Sequence, residues 1–328
     1  MNSAIVVLNW NDWKNTVDCL ESIYQNDGNF DVFLVDNGSY QKNILKISSW
    51  YEGRIISDRN FIKPKINNKG KLISMNFNNN IFDKKKNERN LYLFKNKSNI
   101  GLTAGLNRVY NFLIRNKYHY ILRIDNDFIV PKDYFKKISH TIKQKNVVSA
   151  SPKIMHAYIK KSVWFKGFKM NWAYLKFQRT MNLKKKRYFD NSNFNKLVET
   201  DAISGCCSIY KANVLKKSGL GDEDFFYGPE DIELSYRLKK YGKLVCNQKI
   251  KTFHKIAKSS IIAKKFDRTF ETTYSFLILI KKIGTFSDKL FGYSYFLLRG
   301  FYYFLLERNK EKKNGYNKAI IKFFIQDV

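Results

Sequence analysis

The chain has 328 residues, enough for one large core or two modest ones, and at 44% apolar and 16% aromatic it is globular rather than disordered, with one main domain plus an appendage expected. Sixty Lys plus Arg against 28 Asp plus Glu leave a formal net charge of +32, so a phosphate-bearing partner is expected: nucleic acid, a nucleotide substrate or an anionic membrane surface. The four cysteines, Cys19, Cys206, Cys207 and Cys246, have neither a CxxC spacing nor the density of a disulfide framework, which argues against zinc and for reduced thiols.

In chain order, "AIVVL" at 4–8 and "DVFLV" at 31–35 are short β-branched runs. Between them "WKNTVDCLESIYQ" carries Val17, Leu20, Ile23 and Tyr24 at helical spacing, the pattern of a βαβ unit in a parallel sheet. The opening residues show no basic n-region and no cleavage site, so the catalytic part is expected to face the cytoplasm. Residues 52–90 are rich in Lys and Asn and read as an insertion of uncertain order. "NLYLF" at 90–94 is a third strand, and a glycine-containing turn then leads to a helix with Leu106, Val109, Tyr110 and Leu113 on one side. "YHYILRID" at 118–125 is a fourth strand, ending in acids. Residues 147–258 look less regular, a mixed α/β extension of the same domain. They include "FFYGPEDIELSYRLKKYG", where Glu230 and Asp231 follow a Gly-Pro pair. Two acids in a first turn suit a helix start, and they equally suit a paired-carboxylate site. The expected division is therefore a catalytic domain over 1–259 and a basic, aromatic helical tail over 260–328. Within the tail, 291–306 is too short and holds Arg299 and Gly300 near its middle, against the ~20 apolar residues a membrane span needs. An interfacial helix is the expectation, the alternative being packing on the catalytic domain or on a second subunit.

Ligands of parallel α/β sheets bind beyond the carboxyl ends of the strands. The residues there are Asn9, then Asp36 in "DNGS", Asn99 and Gly101, and "DND" at 125–127. In extended geometry Asp125 and Asp127 project to one side, as two carboxylates reaching one hard cation would. The first loop, "NWNDWKN", lacks both GxGxxG and GxxxxGK[ST], which argues against a dinucleotide-binding or P-loop enzyme and for phosphate charge met by a metal.

The ordered set "VVLNWN", "LVDNGS", "NIGLTAGLN", "IDNDFIVP", "SGCCSIYKANVLKKSGLGDEDFFYGPEDIELSYRLKKYG" and "TFHKIAKS" resembles the inverting family 2 glycosyltransferases, in particular the bacterial rhamnosyl- and galactofuranosyl-like branch. The resemblance covers roughly residues 4–260. It implies the A-type glycosyltransferase fold, a Rossmann-like, mostly parallel sheet flanked by helices. It also implies a UDP- or dTDP-linked sugar donor, Mg²⁺ or Mn²⁺, and a glycan or lipid-linked acceptor. By the same resemblance Asn9, Asp36, Asn99, Gly101, Asn107 and Asp125 belong to the donor site. Asp127, Asp125 and His254 are the metal ligands, Asp231 is the general base and Glu230 orients the acceptor. The helix dipole is expected to hold Asp231 ionised. Arg108, where the family has a small residue, and the 52–90 insertion are departures that leave the sugar open.

The competing reading is a basic protein that binds nucleic acid or a membrane surface on an inert α/β scaffold. Acids at the predicted cleft would repel nucleic-acid phosphate, so no nucleic-acid partner is expected. The tail points instead to peripheral association with the inner, anionic face of the cell membrane, or to a homo-oligomer contact.

Overall fold

The computed structural model describes residues 2–54, 70–77, 90–170, 188–255 and 268–326. The chain begins β1 (Ser3–Asn9), α1 (Trp13–Tyr24), β2 (Asp31–Asp36) and α2 (Gln41–Tyr51), continuing through β3 (Leu72–Met75) and β4 (Leu91–Lys95) to α3 (Leu102–Arg115) and β5 (Tyr120–Asp125). Strands β3-β4-β2-β1-β5 are neighbours in that order, all parallel. β3 lies inside the stretch read from sequence as an insertion. It is a half-exposed edge strand, so its pattern was weak; the rest of that stretch, apart from 52–54, 70–77 and Asn90, lies outside the described residues.

The second half is more regular than its sequence suggested. It comprises β6 (Phe128–Ile129), α4 (Tyr134–Ile142), β7 (Val147–His156), β8 (Ser162–Phe165), β9 (Tyr188–Phe189), β10 (Leu197–Glu199), β11 (Cys207–Lys211), α5 (Ala212–Lys217), α6 (Glu230–Leu238) and β12 (Lys243–His254). β11 joins β5 and β7 antiparallel, and β7 pairs with the long β12 in parallel. Among the described residues twelve strands form one mixed sheet, in the order β10-β12-β7-β11-β5-β1-β2-β4-β3, with β6, β8 and β9 off that path.

Period-two alternation sorts the strands' side chains into two cores. Ile5, Val7, Leu34 and Ile124 face α1, α2 and α4, while Val6, Phe33 and Ile121 face Leu106, Val109 and Leu113 of α3 with Leu234 and Leu238 of α6. Each fully buried aliphatic side chain contributes roughly 1.5–3 kcal/mol. Three tail helices, α7 (Arg268–Ile283), α8 (Phe286–Leu306) and α9 (Lys310–Ile321), build a third apolar cluster that takes in Phe225 and Ile232 of the first body.

Sheet register decides what meets at the carboxyl edge. Asn9 of β1 lies beside Asp36 of β2, and Leu8 lies beside Asp125 of β5. The chain runs from β1 outward to β2 and β4, then crosses back to place β5 on β1's other side. That reversal opens a crevice at the strand ends, where α/β sheets bind ligands.

Candidate active site

At the ends of β1 and β2, Asn9 Nδ2 donates to Asp36 Oδ1 at 2.8 Å and to Ser39 Oγ at 3.2 Å, while Thr16 Oγ1 donates to Asn9 Oδ1 at 2.8 Å. The Ser39 amide donates to the other Asp36 oxygen at 3.1 Å. Gly38 makes this turn, with φ +77°, and a Cβ there would lie 2.3 Å from the Ser98 backbone. Beside the cluster is a cleft of about 350 Å³ lined by Asn11, Asp12, Trp13, Lys14, Tyr40, Lys42 and Asn43. Lys14 and Lys46 stand near the Trp13 ring and Lys42 near the Tyr40 ring, so the cleft offers aromatic faces with cations beside them. Burial raises the pKa of the Asp12 carboxyl, against the bonds it accepts from Asn15.

Asn37 links this edge to the next strand. Its amide nitrogen donates to Asn99 Oδ1 and the Gly101 carbonyl, each at 2.9 Å, and its oxygen accepts from Asn96 at 3.0 Å. Gly101 caps α3, whose first amide, Leu102 N, donates to the Phe226 carbonyl at 2.9 Å. Asn107 bonds elsewhere: its nitrogen donates to the Gly221 carbonyl and Glu223, and its oxygen accepts from Gly221 N. α3 is thereby pinned to the loop that leads into Glu230 and Asp231.

Asp125 and Asp127 part company. The strand ends at Asp125, and the turn that follows sends the two side chains to different partners. Asp125 accepts from Arg123 Nε at 3.1 Å, whereas Asp127 Oδ2 lies 3.1 Å from His254 Nε2. The His254 ring stacks on Phe128 and meets Trp164 edge-on, and its buried Nδ1 has no hydrogen-bond partner. Next along the chain, Lys255 is buried, with an ion pair to Asp18 and a bond to Asn15.

Neither acid of the "PED" stretch caps its helix. Pro229 holds the N-cap position of α6 with no side-chain cap bond. Glu230 accepts from Arg123 Nη1 at 3.0 Å, and Asp231 Oδ2 accepts from the Gly205 amide at 3.0 Å. Arg123 thus bridges the end of β5 to the first turn of α6. It occupies a buried position on a central strand, where a charge needs opposite charges on hand. Burial works against its ionisation, and the Asp125 and Glu230 carboxylates more than offset that. Gly205 leaves room for this junction, since a Cβ there would lie 2.7 Å from Arg123 Nη1 and 3.0 Å from Asp231 Cβ.

The expectation that the helix dipole keeps Asp231 strongly acidic does not hold. Burial first, then the neighbouring Glu230 charge, push its pKa up to about 7, outweighing the Gly205 hydrogen bond and Arg123.

Solved structures share this arrangement of sheet and helices. GalNAc-T7, solved with UDP, GalNAc and Mn²⁺, superposes with a TM-score of 0.57 at 12% identity over 98% of this chain and 56% of its own, so the chain spans little more than half of that neighbour. TarS residues 1–349 from S. aureus, in complex with UDP-GlcNAc, gives 0.54 at 14% identity over 98% of this chain and 80% of its own. The mannosyltransferase PcManGT from Pyrobaculum calidifontis, with GDP-Man and Mn²⁺, gives 0.53 at 12% identity over 97% of this chain and 73% of its own. The chain has the A-type glycosyltransferase fold. No family model matches the sequence, and no curated protein matches it.

Set on the A-type fold, the residues singled out from sequence divide into groups. Asn9 with Asp36 and Asn99 with Gly101 form the hydrogen-bonded carboxyl edge; Asp127 meets His254; Glu230 and Asp231 stand together at the start of α6. Asn107 is engaged in joining α3 to a loop, and Asp125 is engaged by Arg123. Among the described residues no group of three or more His, Cys, Asp or Glu is placed to hold a metal by itself. The Asp127–His254 pair nonetheless fits a divalent cation, being a carboxylate and an imidazole within reach of each other, with further oxygen ligands to come from a bound phosphate. Sequence reading missed Arg123, Ser39, Gly205 and Lys255. Arg123 had a visible signal, a charge inside the otherwise apolar run "YILRI"; Ser39, Gly205 and Lys255 lie within the quoted motifs "LVDNGS", "SGCC" and "TFHK" but were not singled out.

Proposed function

We propose that the protein is an inverting, family 2-type glycosyltransferase that moves a sugar from a UDP- or dTDP-linked donor to a hydroxyl of a glycan or glycolipid acceptor in bacterial surface polysaccharide synthesis. It works as a peripheral protein at the cytoplasmic face of the membrane. The observation that carries the reading is the Asp231 carboxyl, raised to about 7 and anchored by Gly205 at the junction that Arg123 ties to the end of β5. Support also comes from neighbours of the same fold solved with UDP-GlcNAc or GDP-Man.

In this reading the nucleoside lies in the cleft after β1 and β2, against Trp13 and Tyr40, with Asn9 and Asp36 as its polar contacts. Asp127 and His254 would hold Mg²⁺ or Mn²⁺, which when bound offsets the charge of the departing diphosphate. Asp231 takes the proton of the acceptor hydroxyl as its oxygen bonds to the anomeric carbon and the bond to the diphosphate breaks on the opposite face. A base with a pKa near 7 is better matched to that task at neutral pH than an ordinary carboxylate. Glu230, fixed by Arg123, orients another hydroxyl of the acceptor.

Transfer assays with UDP- and dTDP-sugars, run beside thermal stabilisation by UDP or dTDP with Mn²⁺, test the reading. Asp231→Asn should lose transfer by roughly 10²-fold or more and keep nucleotide stabilisation. Excess chelator should abolish both. Near-wild-type transfer by the variant would move the base elsewhere, with Glu230 next in line.

A further inference from the structure

Helix α8 is 21 residues long, about 30 Å at the α-helical rise, and carries an unusual outer face. At 100° per residue, an arc of roughly 160° running from Phe286 to Tyr302 holds no charged residue along the whole helix. Its large side chains stand in solvent: Phe286 is 84% exposed, Leu298 72% and Phe301 64%. The helix's charges lie off this arc. Asp288 is buried as part of the Thr285 capping box, and Arg299 is held among the rings of Tyr295, Tyr303 and Tyr316. An uncharged stripe of this width is far beyond the scattered apolar residues of an ordinary surface.

The neighbouring surface is cationic. α9 exposes Lys310 and Lys312, with Glu311 between them, and Lys313 lies 4.8 Å from the centroid of Phe304, at the edge of the apolar stripe. Charge chooses between the occupants. A second copy would bring a like-charged surface against this one in a chain of net charge +32, whereas an anionic bilayer offers opposite charge beside an apolar interior. Among the described residues no helix is long and apolar enough to cross a membrane.

We propose that the outer face of α8 is a lipid-docking surface, lying in the interface of an anionic bilayer with the α9 lysines at the headgroups. The docking unit is joined to the candidate acceptor site. Ser275 of α7 bonds to the Tyr227 carbonyl, and Lys282 pairs with Asp222 and Asp224 at 2.5 and 2.6 Å. The tail cluster also contains Phe225 and Ile232, on either side of Glu230 and Asp231. Docked this way, the protein would receive an acceptor that is itself lipid-linked, a substrate class that rests on the transferase reading above. The lysine runs singled out in sequence carry this only in part: Lys264 and Lys265 lie outside the described residues, and Lys282 is engaged by Asp222 and Asp224.

The experiment is co-sedimentation of the full chain with phosphatidylglycerol–phosphatidylcholine vesicles and with pure phosphatidylcholine vesicles, beside sedimentation velocity without lipid. Wild type should bind the anionic vesicles at least tenfold more tightly than the neutral ones. The L298E/F301E double variant should lose at least tenfold in anionic-vesicle binding while its nucleotide stabilisation, read separately, stays intact. Should that variant fail to fold, the surface variant K310E/K312E/K313E should still reduce anionic binding and leave binding to neutral vesicles unchanged. Equal wild-type binding to both vesicle types, or no binding to either, overturns the proposal. A lipid-free dimer dispersed by L298E/F301E, with no vesicle binding by wild type, assigns the face to a second copy. Loss of nucleotide binding with vesicle binding intact would sink the transferase reading and leave the docking surface standing. Transfer to a water-soluble acceptor as fast as to its lipid-linked form on vesicles would remove the lipid-linked acceptor alone.

Discussion

If Asp231 is the base, as proposed above, it sets the pH response of transfer. With its pKa at about 7, against 3.8 for an ordinary Asp, transfer should climb through neutrality and level off above pH 8, falling about tenfold per unit below pH 6. The same shift has a stability consequence. A carboxyl whose folded pKa is raised favours the folded state below its unfolded value, and this contribution is lost as pH rises from about 4 through 7. Asp231→Asn keeps the bond from Gly205 without the charge. Its melting temperature should exceed wild type at pH 8, with the gap closing by pH 4; an equal gap at both pH values would refute the burial argument. Arg123 acts on two carboxylates at once. Arg123→Met leaves Glu230 buried without its partner and takes the counter-charge from the partly exposed Asp125, a loss of roughly 3–5 kcal/mol for the broken buried pair, measurable by urea denaturation. Arg123 also lowers the Asp231 pKa through its charge, so in an uncharged variant at 123 that folds the pH–rate profile should move to higher pH.

At the scale of elements, the site depends on backbones meeting closely. Gly205 lies just before β11 and its amide meets Asp231 in the first turn of α6, an approach that a side chain at 205 would crowd. Gly205→Ala would press on Arg123 Nη1 and Asp231 Cβ, of which the guanidinium can yield more easily than a Cβ fixed to its helix. The expected result is a destabilisation of roughly 1–3 kcal/mol with a larger proportional loss of transfer, read by melting temperature and rate together. Loss of stability with full transfer would show that the junction tolerates displacement. Two helices that start at the carboxyl edge, α1 and α3, are held differently. α1 has a side-chain cap from Asp12, whereas α3 starts at a glycine and is fixed through Leu102, Thr103 and Asn107 to the loop around Phe225.

For the whole molecule, the boundary near residue 260 is one of composition more than of packing. Phe225, Ile232, Met170 and Ala202 are buried in the same cluster as Leu277, Leu279 and Phe296. Truncation after residue 260 should therefore uncover Phe225 and Ile232, and the fragment should melt several degrees lower than the full chain or aggregate, as calorimetry and light scattering would report. A fragment as stable as the whole would make the tail an independent unit. The positive charge is not spread idly, since Lys153, Lys255 and Lys282 are engaged in ion pairs of the fold.

Read alone, the sequence determined the βαβ start, the helix after "NIGLTAG" and the row of polar residues closing the strands, because hydrophobic period and turn residues are local properties. It also placed Glu230 and Asp231 at a helix start, which α6 bears out. Those same local rules could not say what the two acids touch. Capping was the locally sufficient reading, and Arg123 and Gly205, 107 and 26 residues away in the chain, displace it. Spacing also predicted that Asp125 and Asp127 share a side, which is true only while a strand continues; the chain turns after Asp125, so Arg123 takes one and His254 the other. The proton affinity of Asp231 was likewise beyond local reach. The dipole belongs to the helix and is legible in sequence, but burial and the Glu230 charge depend on what packs over them, and those effects are the larger.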